Sequence, residues 1–182
     1  LMLSKIKEVA IITNKESLQN YQNFFEDGSW LGMKIRYIIQ NKPNGIADTI
    51  NISKKFLGKS NFCLILGDNF FYGGNFSGHL DDCQKTKNKF KLFKYKIKNP
   101  DQFGVLTKKK NKYFIHEKPK KKIGNKIVTG LYFLPNKVIQ ISKKNKISKR
   151  GELEITDVLN KLMKLQKPKI YDLKRGITWM DL

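Results

Sequence analysis

Apolar and polar positions in the first third of the chain predict strands and helices in alternation. Compact apolar runs at Glu8–Thr13, 33–40 and 61–66 indicate buried strands. Between them, apolar residues recur at helical spacing over Lys15–Phe25 and 46–57. This order is typical of parallel βαβ units with right-handed crossovers.

Beyond residue 75 the pattern predicts a less regular order of elements. We expect a helix over 76–87, a strand over 89–98, and a β-hairpin formed by 104–106 and 113–116 around a lysine-rich tip. The remaining predicted elements are strands at 127–134, 169–173 and 177–180 and helices at 135–142 and 152–166. Together they indicate one α/β domain over 1–182 of Rossmann-like type, with a mixed, mostly parallel central sheet and helices on both faces. Ligands are expected at the carboxyl ends of the parallel strands.

Lysine dominates the charge of the chain. The 182 residues carry 37 Lys plus Arg against 15 Asp plus Glu, which gives a net charge of +22. Such a surplus makes a basic nucleic-acid-binding domain one alternative. Arginine, the side chain that grips phosphate with two parallel hydrogen bonds, occurs only at Arg36, Arg150 and Arg175. The lysine clusters are interpreted as solvated faces and loops, at 85–98, 108–112, 118–126 and 143–149.

Cysteine content and hydropathy predict an unexported cytoplasmic protein. Two cysteines, Cys63 and Cys83, are too few for a disulfide framework in a chain of this length. No apolar run reaches the roughly 18 residues that a membrane span requires.

Three short segments could carry chemistry. Asp68 follows an apolar strand, where it fits either a Mg²⁺ ligand or a turn residue that bonds its own backbone. Glu117 and Lys118 form an acid–base pair for a sugar hydroxyl and a phosphate, or an exposed strand end. Arg150 precedes a predicted helix, where it fits either a phosphate clamp or a residue of ordinary helix capping. The aromatic run 70–72 fits a lid or core packing, of which core packing is the preferred interpretation.

Eight motifs in order carry a resemblance that covers nearly the whole chain. They are EDGSWLGMKIRYIIQ from Glu26, PNGIAD from Pro43, LGDNFFYG from Leu66, NPDQFGVL from Asn99, HEKP from His116, VTGLYF from Val128, RGELEITD from Arg150 and WMDL from Trp179. In this order they resemble the sugar-1-phosphate nucleotidyltransferases, and most closely the glucose-1-phosphate thymidylyltransferases.

The resemblance implies a role for each matched position. Gln40 and Gly45 would read the pyrimidine base, and Asp68 and Asp181 would hold Mg²⁺. Lys118 and Arg150 would be the catalytic residues, both contacting phosphate. The substrate-binding positions that it implies are Gln40, Gly45, Asp68, Phe103, Gly104, Glu117, Lys118, Val128 and Arg150.

The implied reaction joins dTTP and glucose 1-phosphate into dTDP-glucose and pyrophosphate, as a step towards dTDP-sugars of the rhamnose type for polysaccharide synthesis. The sugar phosphate is already ionised, so the reaction needs groups that bring two anions together rather than a general base. UTP as the nucleotide, or a different sugar, is an open alternative. The resemblance also implies a homo-oligomer, a tetramer, for the full-length protein.

The chain departs from the family pattern at several points. Phe103 stands where the family has Tyr, and His116 where it usually has an acid. The family's Gly-rich triphosphate loop precedes the matched region and its helical tail follows it. We therefore expect a chain truncated at both ends, an internal piece of a longer reading frame that has no turnover alone.

Overall fold

A central sheet, two smaller strand pairs and six helices make up the computed structural model, which describes residues 5–174 and 176–182. The strands are β1 Glu8–Thr13, β2 Lys34–Ile39, β3 Phe62–Ile65, β4 Asn69–Gly73, β5 Lys91–Lys96, β6 Gly104–Lys109, β7 Lys112–Glu117, β8 Lys126–Leu134, β9 Lys169–Leu173 and β10 Ile177–Asp181. The helices are α1 Lys15–Phe25, α2 Ile46–Ile52, α3 Lys54–Leu57, α4 Phe76–Lys85, α5 Val138–Lys143 and α6 Ile155–Leu165. The predicted mixed α/β fold is confirmed.

Strand β8 occupies the centre of the main sheet. Seven of its nine residues are buried, as expected for a strand covered on both faces. β5 pairs antiparallel with one edge of β8, and β9 extends that side parallel to β5. The other edge of β8 pairs with β3 and with β6, both antiparallel, and β7 lies beyond β6.

The prediction of a mostly parallel sheet is corrected by this pairing. β3, β5, β6 and β9 run in the same direction, but β8 lies between them and runs the opposite way. Parallel pairing is confined, in the described ranges, to β1 with β2 and β5 with β9. Because β3 joins β8 rather than β2, only the first predicted βαβ unit forms a parallel pair. Apolar periodicity identifies buried strands but does not say which of them is central.

Two local predictions are also corrected. The helix expected over 46–57 is interrupted at Ser53, which separates α2 from α3. The aromatic run 70–72 belongs to β4, which pairs antiparallel with β10. Phe71 packs inward, whereas Phe70 and Tyr72 are exposed on the other face, so these two are not core residues. Alternate side chains of a strand point to opposite faces, which is why one aromatic run divides in this way.

Helix α6 packs its apolar face on the sheet and protects the edge strand β7. Ile155, Val158, Leu159 and Leu162 are buried, at the i, i+3, i+4, i+7 spacing of one helix face. From the same helix, the Asn160 side chain accepts from the Ile115 amide at 2.9 Å and donates to the Ile115 carbonyl at 2.7 Å. This side chain therefore takes the place of a neighbouring strand along part of an edge.

Replacing Asn160 by alanine is expected to lower the free energy of unfolding by about 2–3 kcal/mol, because it leaves a buried N–H and C=O of Ile115 unpaired. Urea denaturation would measure the change. Asn160→Asp keeps the acceptor for the Ile115 amide but sets a carboxylate oxygen against the Ile115 carbonyl, so it should not restore the stability of wild type. Equal stability of wild type and Asn160→Ala would contradict the edge-pairing role.

Asp82 joins α4 to β9, and its lowered pKa leads us to expect a loss of stability in acid. Hydrogen bonds from Lys169, at 2.6 Å, and then from the Tyr171 hydroxyl lower the pKa of Asp82 from its ordinary value of 3.8 to about 2. The stabilisation is therefore complete above pH 3.8 and is lost as the pH falls from 3.8 towards 2. Since Asp82 is 45% exposed, we expect a contribution of only about 1 kcal/mol. Thermal unfolding of Asp82→Asn and wild type should differ at pH 6 and converge in this acid window; a constant difference would contradict the assignment.

Candidate active site

The candidate site lies where two strands separate along the same edge of β8. β3 ends at Ile65, opposite Leu131, and β6 begins at Gly104, with Val105 opposite Ile127. On this edge, the β8 backbone between Ile127 and Leu131 is therefore available to the segment that follows β3. Strands that diverge from a shared neighbour create a crevice where polar groups from several loops can meet.

Asn69 enters this crevice directly after Asp68. Its side-chain oxygen accepts from the Gly130 amide of β8 at 2.8 Å, and its side-chain nitrogen donates to Asp68 at 2.9 Å and to Asp181 at 2.7 Å. The amide of Leu182 also donates to the Asp68 carbonyl at 3.0 Å. Two carboxylates that are 113 residues apart in sequence are thus held by one amide group.

Asp181 ionises less readily than an isolated carboxyl because of burial and its neighbour Asp68. Burial, and then the negative charge of Asp68, raise the pKa of Asp181, while the hydrogen bond from Asn69 and the charge of Lys118 oppose the rise. Burial also raises the pKa of the Tyr132 hydroxyl. The negative charges that add to this rise are those of Glu117, Asp181 and Asp68. The charges of Glu117, Asp181 and Asp68 are therefore all close enough to affect Tyr132.

Lys118 occupies an unusual backbone conformation next to this group. Its φ is 38°, in the left-handed region that residues with a side chain seldom adopt. The backbone N–H of Lys118 donates to the Phe103 carbonyl at 3.1 Å, and the Phe103 ring packs edge-on against Trp179, with 5.4 Å between ring centroids. Strain of this kind is concentrated at functional sites, where the surrounding structure holds it in place.

Arg150 lies among three carboxylates rather than alone. Its guanidinium is 3.3 Å from Glu117 and 3.5 Å from both Glu152 and Glu154. Burial, and then the charge of Glu154, raise the pKa of Glu117, while Thr156, Arg150 and Lys118 lower it. The arginine is thus held close to the glutamate that the resemblance assigns to the sugar.

Gln40 and Gly45 form a separate loop that is attached to the segment carrying Arg150. The Gln40 amide nitrogen donates to Asp48 at 3.1 Å and to the Gly45 carbonyl at 3.4 Å. Gly45 has a φ of 97°, and a Cβ there would come within 2.7 Å of the Leu153 carbonyl oxygen. Only glycine permits this approach, which the Leu153-to-Asn44 and Ala47-to-Leu153 backbone hydrogen bonds maintain.

The structure connects most of the residues expected at the site. Contacts and charges link Asp68, Asp181, Lys118, Glu117 and Arg150, and Gly104 packs within reach of Glu117. Val128 is different, since its side chain is buried in the apolar core. Sequence reasoning missed Asn69 and Gly130, although Asn69 lies in the LGDNFFYG motif and Gly130 in the VTGLYF motif. A glycine in the middle of the most apolar strand is the signal that could have found Gly130.

The residues present fit a divalent cation of the Mg²⁺ type. No group of three or more His, Cys, Asp or Glu side chains suited to a metal occurs in the part of the chain that the structure describes. Mg²⁺, however, is commonly bound by one or two carboxylates, with water and substrate phosphate as its other ligands. The paired carboxylates of Asp68 and Asp181 have this composition, and their mutual repulsion would be relieved by a cation.

Comparison with known families decides the kind of protein. A family model described as nucleotidyl transferase matches residues 1–182. The chain belongs to the nucleotidyl transferase family. A glucose-1-phosphate thymidylyltransferase of Neisseria meningitidis serogroup A is 37% identical to this nucleotidyl transferase chain over 183 residues. The relative of that name in Mycobacterium tuberculosis H37Rv is 33% identical. The alignments cover 100% of the chain but 64% and 63% of these relatives, so the chain spans less than two thirds of their length.

Solved structures show the same nucleotidyl transferase architecture. A Bacillus anthracis protein assigned as a glucose-1-phosphate thymidylyltransferase, crystallised with sucrose, superposes with a TM-score of 0.88 at 32% identity, covering 100% of this chain and 73% of that one. A UDP-glucose pyrophosphorylase complexed with UDP-glucose gives 0.82 at 21% identity, covering 99% of this chain and 77% of that one. The second likeness shows the fold alone.

Proposed function

We propose that this chain forms the greater part of a glucose-1-phosphate thymidylyltransferase, which converts dTTP and glucose 1-phosphate into dTDP-glucose and pyrophosphate. The observation that carries the proposal is the meeting of Asp68 and Asp181 on one amide, within electrostatic reach of Lys118. The names of the relatives that are 33–37% identical support the choice of substrates. The family match over residues 1–182 supports a single domain.

In the proposed reaction a phosphate oxygen of glucose 1-phosphate attacks the α-phosphorus of dTTP. A new P–O bond forms while the bond to the β-phosphate breaks, and pyrophosphate leaves with its electrons. The nucleophile is already an anion, so the protein has to hold two anions together. Lys118 and Arg150 supply positive charge for this task, and Glu117 accepts hydrogen bonds from sugar hydroxyls.

Other positions are assigned to recognition. Gln40 and Gly45 contact the base, and Gly104 and Phe103 border the sugar. Because the Val128 side chain is buried, its contribution comes from its backbone. Mg²⁺, held by Asp68 and Asp181, supplies charge neutralisation between the two phosphate groups when it is bound. A cytoplasmic location and a homotetramer of the full-length protein belong to the same proposal. None of the helices within residues 5–174 and 176–182 has the length and apolar content of a membrane span.

Pyrophosphate release by the product of the complete reading frame that contains these residues tests the proposal. Each of dTTP, UTP, CTP and ATP would be offered with glucose 1-phosphate, and then glucose 1-phosphate would be exchanged for galactose and mannose 1-phosphates. We expect the highest kcat/KM with dTTP and glucose 1-phosphate. A preference for UTP would correct the nucleotide, and no release with any pair would refute the activity. The same assay on the 182-residue chain tests the prediction that it has no turnover alone.

Three lysines of the positive surplus give no support to nucleic-acid binding. Lys91 is buried, where its ammonium group donates to the Cys83 carbonyl. Lys94 pairs with Asp172 at 2.9 Å and Lys169 with Asp82 at 2.6 Å. These three cations are engaged within the protein and are not available to form a phosphate-binding face.

A further inference from the structure

The Asn69 side chain makes four hydrogen bonds, the full number that its oxygen and amide hydrogens allow. Its oxygen accepts from the Gly130 backbone N–H at 2.8 Å and from the Trp179 indole N–H at 2.7 Å. Its nitrogen donates to Asp68 at 2.9 Å and to Asp181 at 2.7 Å. One side chain thus connects β8, β10 and the two carboxylates.

The orientation of this amide is set by its partners. A backbone N–H and an indole N–H can only donate, so the atom that faces Gly130 and Trp179 has to be the oxygen. The NH₂ group is therefore turned towards Asp68 and Asp181. With both N–H bonds directed at carboxylates, the nitrogen has no lone pair for a cation, and the oxygen is already shared by two donors. Asn69 acts on the cation site through the carboxylates rather than as a ligand.

We propose that Asn69 is a positioning residue, which holds the carboxylates of Asp68 and Asp181 at a fixed spacing for the divalent cation of the proposed function. The inference rests on that function, because it assumes that the carboxylate pair binds the cation. Asp68 directly precedes β4 and Asp181 ends β10, so the two lie at the same end of one antiparallel strand pair. Asn69 ties both to the central strand β8 through Gly130.

The physical reason is the repulsion between the two anionic groups. Without a donor between them, the carboxylates turn apart towards solvent, and the cation has to reassemble them against that repulsion. Groups that orient metal ligands by hydrogen bonds change metal affinity by about 10- to 100-fold when they are removed. Asn69 meets that description for both carboxylates at once.

The experiment measures Mn²⁺ binding rather than turnover. Free Mn²⁺ would be followed by electron paramagnetic resonance with the product of the complete reading frame, in wild type, Asn69→Leu, Asp181→Asn and the double variant. We expect Asn69→Leu to raise the Kd for Mn²⁺ about tenfold. In the Asp181→Asn background, Asn69→Leu should raise the Kd for Mn²⁺ less than about twofold, because only one carboxylate remains to be positioned.

Trp179→Phe serves as the matched control for the structural role of Asn69. It removes one hydrogen bond accepted by the Asn69 oxygen but leaves the NH₂ group and both carboxylates in place. Its Kd for Mn²⁺ should stay within about twofold of wild type. In wild type, the side-chain NH₂ signals of Asn69 in a ¹⁵N–¹H spectrum should shift as Mg²⁺ is added, a signature that needs no variant to fold.

Three outcomes would overturn the inference. An equal loss of Mn²⁺ affinity from Asn69→Leu in both backgrounds would show a general structural effect, and so would an equal loss from Trp179→Phe. If the Asn69 NH₂ signals do not shift at saturating Mg²⁺, Asn69 is not coupled to the cation site. If wild type itself binds no Mn²⁺, the metal assignment in the proposed function fails and the inference falls with it. If wild type binds Mn²⁺ and Asn69→Leu binds it equally well, the inference alone fails.

Discussion

Replacing Lys118 by alanine is expected to lower kcat/KM for pyrophosphate release about 100- to 1,000-fold, the usual loss when one placed electrostatic group is removed from a reaction between anions. Lys118 is the cation whose charge acts on Asp181, and its backbone is held in the left-handed region with a φ of 38°. Lys118→Ala therefore removes a positive charge that the backbone holds at a defined place. Steady-state kinetics on the product of the complete reading frame would measure it.

The chain offers a matched control two residues away. Lys120→Ala removes the same charge from the same loop, but Lys120 lines a surface pocket of about 340 Å³ beside Pro119 and Asp101 rather than the carboxylate pair. Its kcat/KM should stay within about twofold of wild type, because exposed charges have small effects. Equal losses in the two variants would mean that total positive charge matters rather than this site. A Lys118→Ala enzyme with normal kinetics would remove Lys118 from the mechanism.

Replacing Gly130 by alanine is expected to lower the free energy of unfolding by about 2–3 kcal/mol and to weaken Mn²⁺ binding with it. A Cβ at this position would lie 2.7 Å from the Asn69 side-chain oxygen and 2.8 Å from its nitrogen. Asn69 cannot move aside without giving up hydrogen bonds to Trp179, Asp68 and Asp181. Urea denaturation and Mn²⁺ titration would measure the two effects.

Gly67 is the control glycine for this experiment. A Cβ there meets no described atom within 4 Å, and its φ lies outside the left-handed region. Gly67→Ala should therefore change the free energy of unfolding by less than about 0.5 kcal/mol, even though it adjoins Asp68. If Gly130→Ala is as stable as Gly67→Ala, the close packing of Asn69 on β8 is wrong.

Most of the strands and helices, and the resemblance to a family, were readable from the sequence, but strand β4 and the break at Ser53 were not. Apolar runs such as Glu8–Thr13 and the helical spacing in α6 reflect local periodicity, which a single chain displays directly. The order of the eight motifs was also readable without a structure, and it named Asp68, Lys118 and Arg150 in advance. Their roles at the site stay predictions that the kinetic and binding experiments test.

The pairing of these segments, and the amide group between the two carboxylates, could be seen only in the three-dimensional structure. The central place of β8 follows from competition among several buried strands for the same edges, a long-range choice that periodicity does not encode. Likewise, Asn69 meets Asp181 across 112 residues of chain and Gly130 across 61. A hydrogen-bond network of this kind depends on where distant backbones come together, so no local pattern shows which residues it joins.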